Sequence, residues 1–127
     1  MSTPGEILTS QFRNDKKALE EQLCKELEDM RTKHMAETFA RAGQFSALIG
    51  AFDALLVESV KDSPELNEAQ AKMFSVYRKS EVKRLTNFGA ETSSVKDKFH
   101  GAMAELEDRY IQNITPYLQE QVDMDSD

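Results

Sequence analysis

The chain has 127 residues, 39% of them apolar and 31% charged, with a formal net charge of −7. That length suits one domain with a modest core, and the lean apolar content suits an elongated helical bundle or coiled coil better than a compact globule. The acidity argues against general nucleic-acid binding, which needs clustered Lys and Arg, and a single cysteine, Cys24, excludes an intramolecular disulfide and fits a reducing compartment.

The charge is unevenly spread. Residues 1–61 carry ten acids and eight bases, residues 62–88 four and five, and residues 89–127 nine and three, so the acidity belongs to the C-terminal third. Trp is absent, Gly and Pro are scarce, and Ala, Glu, Lys, Gln, Leu and Met are plentiful, all of which favours helix. No run alternates apolar and polar residues with the period of two that a strand requires. No apolar run approaches the length of a membrane span, and the first residues lack the basic-then-apolar layout of a signal peptide, so a soluble cytoplasmic protein is expected.

Met1 to Gly5 reads as a loose leader. Helix one is expected from Glu6 to about Lys61, a length of about 80 Å if continuous. Its first half places Leu8, Phe12, Leu19, Leu23, Leu27 and Met30 on a narrow apolar seam among many charges. Glu21 with Lys25 and Asp29 with Lys33 add i,i+4 ion pairs in the favoured order. A narrow seam on a charged arm predicts coiled-coil pairing with another chain through Phe12, Leu19, Leu23, Leu27 and Met30. In the second half Ala42, Phe45, Ile49, Phe52 and Leu56 recur at 3,4,3,4 spacing, and further apolar residues give this stretch a two-sided apolar face. Gly43 and Gly50 lie one heptad apart within it, each costing about 1 kcal/mol relative to Ala. They mark either a break near residues 41–44 or close approach of a second helix backbone across Ala42, Gly43, Ala47, Gly50, Ala51 and Ala54.

Asp62-Ser63-Pro64-Glu65 is the clearest boundary: Ser63 as N-cap, Pro64 at the first helical position, Glu65 at the positive end of the dipole. Helix two is expected over 64–88, with Gly89 as its C-terminal cap. A polar link over 90–93 leads to Ser94 as the N-cap of helix three, expected over 94–122 and kinked or broken at Pro116. The acidic tail 123–127 is expected to be disordered. The fold class is therefore all-α: one domain, an elongated bundle of three helices, or four if helix one breaks near Gly43, with a coiled-coil-like N-terminal arm.

Chemistry is harder to place. A di-metal carboxylate bundle needs Glu-x-x-His motifs, whereas His34 follows Arg31 and His100 follows Asp97 at that spacing. His34 reads as a partly buried seam residue and His100 as a solvated one. Cys24 has Glu28 one turn away, which opposes thiolate formation. No phosphate-binding loop, zinc spacing, nucleophile elbow or dinucleotide fingerprint occurs, so no catalytic residue, metal or cofactor is expected. Arg78, Lys79, Lys83 and Arg84 form a basic cluster on helix two that could dock an acidic partner or serve as an ordinary solvated face.

These features point to a non-enzymatic helical protein–protein interaction module: an adaptor, assembly factor or small chaperone acting through exposed helix faces as a homodimer. Two other classes fit less of the sequence. One is an amphipathic binder of lipid or another apolar surface, disfavoured because only Arg41 and Lys61 flank the Phe39–Val60 face. The other is an acidic mimic of nucleic acid that inhibits a DNA-binding protein, disfavoured by the interspersed Lys96, Lys98 and Arg109.

Overall fold

A computed structural model describes residues 2–58 and 63–125. It contains two helices packed against each other, α1 (Pro4–Glu58) and α2 (Pro64–Asp125). The all-α class holds, and the bundle of three or four helices is corrected to two. The expected continuation of helix one to Lys61 and the last two residues of the acidic tail lie outside the described residues.

Both starts are set by local chemistry. The Thr3 N–H donates to Glu6 Oε2 at 3.3 Å, and the Glu6 N–H donates back to Thr3 Oγ1 at 3.1 Å. This is a reciprocal capping box with Pro4 at the first helical position, so the expected loose leader is instead a helix start. At α2 the Leu66 N–H donates to Ser63 Oγ at 3.4 Å, and Pro64 opens the helix.

Neither expected break occurs. Gly43 and Gly50 lie inside α1, and a Cβ at either would meet nothing within 4 Å, so no other helix of this chain approaches them. Gly89 does not end a helix either: no described glycine has the positive φ of a left-handed cap. The half-buried stripe Arg84, Phe88, Thr92, Val95 and buried Phe99 runs straight across the expected link at 4,4,3,4 spacing. Burial on that stripe keeps residues 89–94 helical and fuses expected helices two and three. Pro116 also lies within α2, which continues to Asp125, so the first residues of the expected tail are helical too.

The chain divides into two compact units. Unit 1 comprises Met1–Glu28 and Thr92–Asp127, where the start of α1 runs antiparallel to the end of α2. Phe99 and Ile114 are buried there, and Phe12 stacks on Tyr110 with ring centroids 4.4 Å apart. Thr9 Oγ1 donates to the Gly5 carbonyl at 2.8 Å, which uses its one proton. The Tyr110 hydroxyl, 2.8 Å from the same oxygen, is therefore the donor to Thr9.

Unit 2 comprises Asp29–Glu91. Its helices are also antiparallel, and His34 with Phe88, Arg41 with Glu81 and Phe45 with Tyr77 are in contact. The numbers of each pair sum to 122, the mark of one unbroken register. None of its described residues is buried.

Candidate functional site

The half-buried stripe of α1 in unit 2 reads His34, Thr38, Arg41, Phe45, Ile49, Phe52, Leu56. The spacing expected Ala42 on this seam, but Ala42 is exposed and Arg41 takes its place. The reason is a set of partners on α2. Arg41 donates from Nε to Glu81 Oε1 at 2.6 Å and from Nη2 to Ser80 Oγ at 2.6 Å. Arg84 donates from Nη1 to the other oxygen of Glu81 at 2.8 Å and reaches Thr38 Oγ1 at 3.4 Å. Its Nη2 lies 3.5 Å from Glu37.

Two arginines thus share one carboxylate, whose side chain is 22% exposed. The hydrogen bond from Arg41 lowers the Glu81 pKa most, and the positive charges of Arg84 and Arg41 add to it against the opposing effect of desolvation. Aromatic stacks bracket this cluster. On one side the His34 ring lies on Phe88, centroids 4.1 Å apart and planes 11° apart. On the other, Phe45 stacks on Tyr77 at 4.0 Å and meets Phe74 edge-on at 5.1 Å. A groove of about 510 Å³ runs beside this second stack, lined by Phe45, Met73, Val76 and Tyr77 among others. Charge-assisted bonds between chain positions 40 apart hold α1 and α2 in a single register, because a slip of one turn would part Arg41 from Glu81.

The residues singled out in sequence fall into separate places. Phe12 is consumed by its stack on Tyr110, and Leu19, Leu23 and Leu27 lie half-buried on the same stripe of unit 1. Met30 is half-buried in unit 2. Gly43 and Gly50 are exposed with open space before them. Of the basic cluster, Arg78, Lys79 and Lys83 are exposed, whereas Arg84 is drawn into the ion-pair cluster with a side chain only 19% exposed. Cys24 and His100 are exposed. Among the described residues no group of three or more His, Cys, Asp or Glu is placed to hold a metal ion.

Large apolar side chains stand exposed among the charged ones on both helices. Fourteen large apolar side chains are exposed among the described residues, nine of them in unit 2, against only two buried. The span expectation also needs correcting: α1 contains an 18-residue window with mean hydropathy 1.2, and none of that window is buried. Comparison with protein-family models, with curated proteins and with solved structures gives no match.

Proposed function

We propose that the chain is a non-enzymatic helical protein–protein interaction module, an adaptor, assembly factor or small chaperone, that works as a homodimer. One observation carries this reading. By size scaling a folded monomer of 14.4 kDa exposes about 6,800 Å². This chain exposes 10072 Å², an excess of about 3,200 Å². Obligate homodimers bury about 2,000–5,000 Å² in total across both partners, so the excess is ample for one such interface. Burying exposed Phe, Leu and Val side chains on a second chain is the ordinary way to remove such a surface from water. Sedimentation equilibrium of the pure chain tests it: a dimer is expected, and a monomer at every concentration would contradict it.

A second reading has its own observation, the unburied window of mean hydropathy 1.2 in α1. It would lay α1 against lipid rather than against protein. The flanking Lys and Arg that surface helices favour are scarce there, which ranks it second. Flotation with vesicles of mixed neutral and anionic lipid tests it, and absence of any bound fraction removes it.

A further inference from the structure

Charge on α2 is sorted into two blocks of opposite sign. Residues 69–90 hold five bases and one carboxylate, Glu81, which Arg41 and Arg84 already bind. Residues 104–123 hold five carboxylates and one base, Arg109. In the first block Lys72, Val76, Lys79 and Lys83 recur at 4,3,4 spacing, which puts them on one stripe of the helix. In the second block Ile111, Thr115, Leu118 and Val122 recur at the same spacing, with Asp108 three residues ahead and Glu107 beside it. All ten of these residues are exposed. Among the described residues none of the three lysines forms an ion pair, and neither does Glu107 or Asp108.

The basic stripe borders the groove of about 510 Å³ in unit 2. Lys72 and Val76 line that groove from the stripe, and Phe45, Met73 and Tyr77 line it from the seam. Apolar and aromatic walls with cations along one edge fit an apolar side chain whose neighbours are carboxylates. The second block of α2 has that composition.

We propose that the groove and its lysine stripe receive the acidic stripe of a second copy of the chain, with Ile111, Leu118 and Val122 entering the groove and Glu107 and Asp108 meeting the lysines. The inference rests on the self-pairing reading above and names the two surfaces that meet. Val76 and Leu118 stand 42 residues apart on one unbroken helix, so the two stripes meet only between chains.

Charge complementarity selects this occupant. Basic stripe against basic stripe repels, as does acidic against acidic, and only the unlike pairing brings opposite charges together. An anionic membrane would attract the lysines but repel the acidic block carried by the same helix, whereas a second copy uses both.

The test uses two charge-reversed forms of the full-length chain, Lys72→Glu/Lys79→Glu/Lys83→Glu and Glu107→Lys/Asp108→Lys, in sedimentation equilibrium with circular dichroism alongside. All five positions are exposed and outside the ion pairs of the fold, so both forms keep the helical signal of the wild type. The expected result is a dimer for the wild type and a dissociation constant raised about tenfold or more for each form alone. An equimolar mixture of the two forms should pair again, within about threefold of the wild type, because each reversed stripe then meets its match. The wild-type constant should also rise with added salt, a readout that needs no variant. Constants unchanged in both forms, or a wild-type constant independent of salt, would overturn these surfaces while leaving self-pairing intact. Weakened forms that do not recover on mixing would overturn the matching of one block to the other. A wild-type chain that stays monomeric at every concentration would overturn both readings.

Discussion

Arg41 on α1 holds Glu81 on α2 at 2.6 Å, and the same carboxylate is taken from its other oxygen by Arg84 at 2.8 Å. The folded chain therefore favours the charged form of Glu81, and its pKa lies below the usual 4.5. A carboxylate with a lowered folded pKa contributes stability that is fully present above its unfolded value. That contribution is lost as pH falls through the folded value. Glu81→Gln should lower stability by about 1 kcal/mol at neutral pH, a figure typical of partly exposed ion pairs. Urea denaturation of both proteins at several pH values checks this. The difference should be constant above pH 4.5 and shrink below it, and a difference independent of pH would refute the role given to the charge.

In unit 1 the Tyr110 hydroxyl donates to Thr9 while its ring stacks on Phe12. Tyr110→Phe keeps the stack and removes only the hydrogen bond, so a loss of about 0.5–1.5 kcal/mol is expected. Thr9→Ala combined with Tyr110→Phe should cost less than the two single changes added, because both remove the same bond. Strict additivity in thermal or chemical denaturation would show that the bond contributes nothing.

Gly101 lies in the middle of α2, exposed, with nothing within 4 Å of where a Cβ would stand. Replacing it by Ala removes backbone freedom from the unfolded chain at no steric cost, so Gly101→Ala should add about 0.5–1 kcal/mol. A destabilised variant would mean that something covers this face in solution.

The helical class was legible because composition and 3.6-residue periodicity act locally, and so was the start of α2 at Ser63 and Pro64. What misled was punctuation. Gly89 followed by a polar run resembles a cap and link, but the seam residues Phe88, Thr92 and Val95 keep their spacing across it, and burial on a partner helix outweighs weak local signals. The capping box of Thr3 and Glu6 is written in the sequence as a Thr-x-x-Glu signature, and its two reciprocal bonds order the residues that otherwise read as a loose leader. The ion-pair cluster was beyond sequence reasoning for a different reason. Arg41 and Glu81 are 40 positions apart, and nothing local announces that an arginine belongs on an apolar seam until the register of α1 against α2 is known. Phe39 and Val57 were both visible as members of an apolar stretch. Their isolation as exposed residues on one stripe emerges only once α2 is seen to occupy the other side of α1.

Self-pairing is the proposal from which the functional reading follows. Sedimentation equilibrium of the purified wild-type chain, at micromolar concentration and moderate salt, tests it most directly. A mass of twice 14.4 kDa is predicted, and a mass of 14.4 kDa that persists at every concentration would contradict it.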